Sequence, residues 1–234
     1  MANRPESEFD RDGESYRAAI EDSISFSGAD LDLFTRIKAE LLLDLARREV
    51  GAPEQLAFLD VGCGPGETDR FLEGRVRSLT GIDVAVEMLE AARRRNPWAA
   101  YREYEAGEPF PCGDAYFDVC FAICVLHHAP EEQRPAMVQE MTRVCRPGGL
   151  VVLVEHNPLN PLTRKAVRGC EFDRGVELLG RGDLRRLLGQ AGLAQPRTRY
   201  IEFFPRDWGL LRRVEARLGW LPFGAQHAAF AKRP

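Results

Sequence analysis

The stretch Leu59-Asp60-Val61-Gly62-Cys63-Gly64-Pro65-Gly66 follows directly on a short apolar run and carries the first recognisable chemistry of the chain. A glycine-rich loop between a strand and a helix brings backbone N–H groups close to a ligand. Three ligand classes use such loops, and the neighbouring residues separate them. A phosphate-binding loop ends in Gly-Lys-Ser/Thr, which is absent here. A dinucleotide loop spaces its glycines as G-x-G-x-x-G, whereas these fall at 62, 64 and 66. Asp60, at the end of the strand, would repel a pyrophosphate and suits a ligand with a sulfonium and an ammonium. Further on, Gly81-Ile82-Asp83 sets a second acid at the tip of the next strand, where a carboxylate can take both hydroxyls of an adenosine ribose. Asp83 reads as adenosine, and Asp60 with the loop spacing selects S-adenosylmethionine.

Those residues need a sheet to hold them, and the pattern around them supplies one. Leu33, Ile37, Leu41 and Leu45 recur four apart and predict an amphipathic helix ending near Gly51-Ala52-Pro53. Strand and helix then alternate: a strand Ala57–Val61, a helix from about Glu67, a strand Val76–Ile82, a helix Val84–Arg95 and a strand Trp98–Glu103. Phe117–Leu126 and Leu150–Glu155 are nearly continuous apolar runs, as strands buried on both faces are, with a helix Pro130–Arg143 and a turn Pro147-Gly148-Gly149 between them. The fold class is therefore α/β, a doubly wound and mostly parallel sheet. After Asn157 the rhythm breaks: residues 157–180 read as irregular, Arg181–Ala191 as a helix, Thr198–Phe204 as a strand, Arg206–Gly219 as a helix and Ala225–Lys232 as a last strand. We expect one domain over 1–234, with a helical N-terminal cap (1–52), a cofactor-binding core (53–156) and an acceptor-side insertion with the final strands (157–234).

Composition closes off other classes. A chain of 234 residues, 44% hydrophobic and 29% charged, is globular, and no apolar run approaches the roughly 20 residues of a membrane span. Six cysteines, several inside apolar strands, fit reduced thiols in a cytoplasm better than a disulfide scaffold. The net charge of −4 argues against a nucleic-acid partner, although residues 160–234 carry 15 Lys/Arg against 7 Asp/Glu. The arginine-faced helix Arg206–Gly219, with Trp208 and Trp220 near its ends, leaves a membrane surface as a disfavoured alternative to packing on its own domain.

Leu59–Gly66, Gly81–Leu89, Phe117–His128 and Arg146–Glu155, in this order and spacing, resemble a class I S-adenosylmethionine-dependent methyltransferase of the bacterial small-molecule type. The resemblance covers about residues 55–156. It implies a seven-stranded Rossmann-like sheet with a final antiparallel strand. Within it, Gly62, Cys63 and Gly64 would line the methionine part of the cofactor, with Gly66 closing the loop. Asp60 would orient the amino group, Asp83 would take the ribose, and Val84 and Met88 would flank the adenine. Tyr104-Glu105-Ala106 departs from the Asp-Ala-Glu usual there, so the adenine amine would be met by backbone groups or by Glu105. Ala122 would lie beside the methionine moiety, and Tyr16 would belong to a segment folded over the cofactor.

The acceptor side rests on two strand ends, Leu126-His127-His128 and Glu155-His156-Asn157, because ligands of such sheets lie outside the carboxyl ends of the strands. A hydroxyl acceptor needs a general base, and imidazole suits neutral pH. His156 is the preferred base and His127 the second, while His128 is expected to point elsewhere. Glu155 reads equally as an acceptor contact or an anchor for the insertion, and Phe172, Phe203, Phe204 and Trp208 as an aromatic acceptor pocket. Cys120 and Cys124, beside the two histidines, suggest a metal. A strand rise of about 3.3 Å separates them by roughly 13 Å, so no metal is expected. The function expected is methyl transfer to a hydroxyl or amine of a small molecule. The alternatives are a non-catalytic cofactor-binding protein and a methyltransferase of lipid-linked substrates.

Overall fold

The computed structural model describes residues 13–28, 30–205, 214–215 and 217–234. Its elements are, in chain order, helices α1 (Gly13–Ile24) and α2 (Leu31–Glu49), strands β1 (Ala57–Val61) and β2 (Ser78–Asp83), α3 (Val86–Arg95), β3 (Ala100–Glu103), β4 (Phe117–Ile123), α4 (Arg134–Val144), β5 (Cys145–His156), α5 (Pro161–Gly169), α6 (Arg181–Gln190), β6 (Arg197–Ile201) and β7 (Gln226–Lys232). The strands form one seven-stranded sheet in the order β3-β2-β1-β4-β5-β7-β6. The first five pair in parallel, and β7 runs antiparallel to both β5 and β6.

Alternating side chains of the central strands bury both faces. On one, Leu59, Cys120, Ala122 and Leu153 meet Met141 of α4 and Leu184 and Leu188 of α6. On the other, Phe58, Phe121 and Val152 meet Leu42 and Ala46 of α2. Asp30 caps α2 by accepting from Leu33 N at 2.7 Å, and the helix supplies a layer of the core as well as covering it. The chain runs outward from β1 to β3 and crosses back to β4 on the other side of β1, so the carboxyl ends of β1 and β4 part and leave a crevice. Gly62 lets the two loops meet there: its φ is +71°, and a β-carbon would stand 2.6 Å from both methyls of Val125.

One buried carboxylate ties the opposite ends of these strands. Asp118 accepts from Ala57 N at 2.7 Å and pairs with Arg146 and Arg77. Asp118→Ala leaves that buried N–H unmatched and lowers stability by about 2–3 kcal/mol. Chemical denaturation of the variant against the wild type measures the loss.

Several boundaries depart from the sequence pattern, each for a local reason. In place of the helix from Glu67 there is only a short 3-10 turn, Asp69–Phe71, because Gly66 and Gly74 both take positive φ and close the segment at each end. β4 stops at Ile123, short of Leu126, where Cys124 turns to φ +55°, and β6 stops at Ile201 before Glu202 at φ +61°. Pro147-Gly148-Gly149 lies within β5 as an irregularity in its pairing with β4 rather than as a free turn. Residues 157–180 are not all irregular. Asn160 accepts from Leu162 N and Thr163 N and starts α5, with Pro161 at its first position. Most of the helix expected over 206–219, Trp208 included, lies outside the described residues. Val214 is 41% exposed, while Glu215 is buried and accepts from Phe203 N.

Candidate active site

The crevice opens into one continuous cavity of about 1350 Å³. At one end lie Asp60, Gly62, Cys63, Gly64, Asp83, Val84, Met88, Tyr104 and Ala106; at the other, Tyr16, His127 and His156. The loop is set from both sides. Gly62 N and Cys63 N donate to Ile82 O at 2.7 and 3.1 Å, and Gly64 N donates to Asp83 Oδ2 at 2.7 Å. Asp83 also accepts from Ala85 N at 2.9 Å, so its carboxylate holds the loop to the tip of β2 while facing the cavity.

Three of the expected cofactor residues do not line the cavity. Gly66 packs against Asn96, whose Nδ2 donates to its carbonyl, Glu105 is exposed in a turn, and Ala122 is buried in the core under the sheet. Tyr104 does line it, with its ring edge-on to Phe110 at 5.2 Å.

Asp60 has a partner that the pattern did not reveal. Asp69, on the turn after the loop, is buried against it and accepts from Tyr101 Oη at 2.7 Å. Burial, then the facing charge of Asp69, holds the Asp60 carboxyl well above its ordinary pKa. Burial likewise raises Asp69, to about 6, against the hydrogen bonds from Tyr101 and Asp60. The other titratable groups here are Asp83 and Cys63. A carboxyl with a raised folded pKa stabilises the protein fully below its unfolded value near 4, and that contribution is lost as pH rises through the folded value. A ligand ammonium reverses the preference by favouring the carboxylate. S-adenosylhomocysteine affinity is therefore expected to fall several-fold as pH drops from 7.5 to 5.5, through the Asp69 value near 6, a dependence that Asp69→Asn reduces and that titrations across this range will measure.

The other end gathers more than was foreseen. His127 and His128 follow β4, His156 ends β5, and Asp173 comes from the segment after α5. His127 Nδ1 lies 2.5 Å from Glu155 Oε2, and Glu155 Oε1 accepts from Leu126 N at 2.8 Å. Glu155 is thus neither an acceptor contact nor an insertion anchor; it sets the loop that carries the two histidines. His127 Nε2 and His128 Nε2 stand 3.5 and 3.4 Å from Asp173 Oδ1, and His156 Nε2 stands 4.0 Å from Asp173 Oδ2. His128 therefore points into the cluster, contrary to expectation, because Cys124 at positive φ turns the chain at the strand end. Burial alone would lower the pKa of His127, but Glu155 and Asp173 outweigh it and hold it up to about 10. Burial and then the His127 charge push His128 and His156 down to about 4. The insertion is anchored by Asn157, whose Nδ2 donates to Pro222 O and Gly224 O, while His156 Nδ1 lies 3.4 Å from Gln226 Nε2.

Neither cysteine joins the histidines. Cys120 is wholly buried in the core, and Cys124, although it borders the cavity, accepts from Gln226 Nε2. Asp173 had no signal in the sequence beyond its place beside Phe172, a lone acid in a segment without periodicity.

Residues 59–153 match the methyltransferase domain family. A malonyl-[acyl-carrier protein] O-methyltransferase of Serratia marcescens is 37% identical over 115 residues, 48% of this chain and 42% of that protein. A phosphatidylethanolamine N-methyltransferase of Cereibacter sphaeroides is 40% identical over 105 residues, 42% of this chain and 49% of that protein. The chain thus spans less than half the length of these curated relatives. A solved structure from Thermotoga maritima, described as a methyltransferase dependent on S-adenosylmethionine and a possible histamine N-methyltransferase, superposes with a TM-score of 0.67. It is 16% identical, over 97% of this chain and 98% of that one, and shows a common fold. Residues 59–153 thus match a methyltransferase domain in sequence, and the chain shares the fold of this solved methyltransferase.

The loop end of the cavity fits S-adenosylmethionine, the cofactor that the resemblance implies. Asp60 Oδ1 is buried with no hydrogen-bond partner among the described residues, an acceptor that a ligand ammonium would satisfy. At Gly64, φ +51°, a β-carbon would meet nothing within 4 Å, so the loop presents bare backbone to open cavity.

Proposed function

We propose that the chain methylates a hydroxyl group of a small molecule with a substantial apolar part, with an amine as the less favoured acceptor. The observation that carries this reading is the single cavity joining the Asp60–Asp83 end to a cluster of imidazoles. Its volume exceeds the roughly 300–1,000 Å³ of a pocket for one small ligand and leaves room for donor and acceptor together.

Bound S-adenosylmethionine supplies an electrophilic methyl on a positively charged sulfur. Asp60 would hold its amino group, Asp83 its ribose, and Val84 and Met88 its adenine. Tyr16 of α1 packs on Phe172 with ring centroids 5.1 Å apart, and with Ile20, Phe34 and Phe203 it walls the other end in apolar surface. That wall excludes water and fits a hydrocarbon or aromatic acceptor. His156 is the base by access: its side chain is 21% exposed, whereas that of His127 is sealed at 0%. The acceptor hydroxyl would give its proton to His156 as its oxygen becomes nucleophilic.

A second reading has its own support. Leu159, Leu162, Trp220 and Phe223 are all more than half exposed, and Asn160 Nδ2 donates to Phe223 O, which brings α5 and the 220–223 turn side by side. Leu162 also borders the cavity, so an acceptor on a lipid chain could enter from a membrane surface. Among the described residues no helix is long and apolar enough to cross a membrane. All six cysteines are free thiols, which supports a reducing, cytoplasmic setting.

Labelled-methyl S-adenosylmethionine offered with matched hydroxyl and amine acceptors, free in solution or in vesicles, tests the reading. Label in an O-methyl product of a soluble hydroxyl acceptor is expected. Label only in amines, or only with vesicles, selects the other acceptors, and cofactor binding without transfer to any acceptor selects the non-catalytic alternative.

A further inference from the structure

The distances around Asp173 are wrong for hydrogen bonds and right for something else. A charge-assisted N–H···O bond closes to about 2.7–2.9 Å, and His127 Nδ1 to Glu155 is tighter still at 2.5 Å. On the other side of the same ring, Nε2 stops 3.5 Å from Asp173 Oδ1, and His128 Nε2 stops 3.4 Å from that oxygen. Donors on a four-coordinate divalent ion, with bonds of about 2.0–2.1 Å, stand about 3.3–3.4 Å apart along the tetrahedral edge. The two nitrogens and the oxygen all lie within 4.8 Å of one another.

The surroundings complete the pattern. The His127 side chain is fully buried, and its Nε2 finds no hydrogen-bond partner among the described residues. Glu155 holds the opposite nitrogen, the usual arrangement of a carboxylate behind a metal-ligating histidine. Buried Glu155 and half-buried Asp173 bring two negative charges into one pocket, which a divalent cation on His127 Nε2 would balance in place of that nitrogen's proton.

We propose that His127 Nε2, His128 Nε2 and Asp173 hold a divalent first-row transition-metal ion. A set with two imidazoles favours zinc, cobalt or iron(II) over magnesium or calcium. The fourth position opens to the cavity, next to His156, and takes an oxygen of the acceptor. This names the acceptor class as one with a metal-binding oxygen, a hydroxyl that the ion would orient and whose deprotonated form it would favour. That last step rests on the methyl-transfer reading; the ion site does not.

The test uses the full chain, stripped with a chelator and titrated at pH 7.5 with Zn²⁺ by calorimetry, with Co²⁺ by visible absorption, and separately with S-adenosylhomocysteine. One ion per chain with a Kd of micromolar or below is expected, with Co²⁺ bands more intense than those of the aqueous ion. His128→Ala and Asp173→Asn should each weaken Zn²⁺ binding about a hundredfold or more and leave S-adenosylhomocysteine affinity within a few-fold. No binding below about 1 mM, or wild-type affinity in both variants, overturns the site. Should the variants not fold, the Co²⁺ spectrum of the wild type decides alone. Ion binding without S-adenosylhomocysteine binding would overturn the methyltransferase reading and leave the ion site standing.

Discussion

Asp83→Ala is expected to weaken S-adenosylhomocysteine binding more than tenfold. The carboxylate carries two loads. Its oxygens already accept from Gly64 N and Ala85 N, which fixes the glycine loop against β2. The side chain also lines the cavity, where two ribose hydroxyls would meet the carboxylate in charge-assisted hydrogen bonds worth about 1.5–3 kcal/mol each. Removing the side chain costs both the ligand contacts and the shape of the loop that lines the methionine end. Calorimetric titration measures the loss, and wild-type affinity in a folded variant would show that the ribose lies elsewhere.

His156→Ala carries the other large effect, a fall in turnover of about a hundredfold or more, with S-adenosylhomocysteine affinity unchanged. The residue ends β5 and lines the cavity at its acceptor end. A base lost from a proton transfer lowers the rate of the chemical step and leaves donor binding alone. Single-turnover assays with a hydroxyl acceptor, alongside the titration, separate the two. Turnover near the wild-type value would take the proton to another acceptor, water included.

The cofactor half of this site was legible because it is local. Asp60, the glycines and Asp83 lie at the ends of adjacent parallel strands, and parallel strands buried on both faces announce themselves as apolar runs. Loop geometry then follows from glycines whose φ no other residue adopts cheaply. Asp69 escaped because it falls where the pattern suggested a helix, and only the two flanking glycines argued otherwise. The acceptor half was legible in its histidines and not in their partners. Asp173 reaches them by a tertiary return of the chain after α5, which no spacing encodes. The start of α5 was readable in principle: Asn160 followed by Pro161 is a helix cap and first turn, masked by the second proline at 158.

A crystal structure of the chain with S-adenosylhomocysteine bound tests the central claim most directly. The account predicts the amino group on Asp60, the ribose on Asp83, the adenine between Val84 and Met88, and the sulfur facing the imidazoles of His127 and His156. A sulfur turned away from the histidines, or a ligand bound outside this cavity, would contradict it.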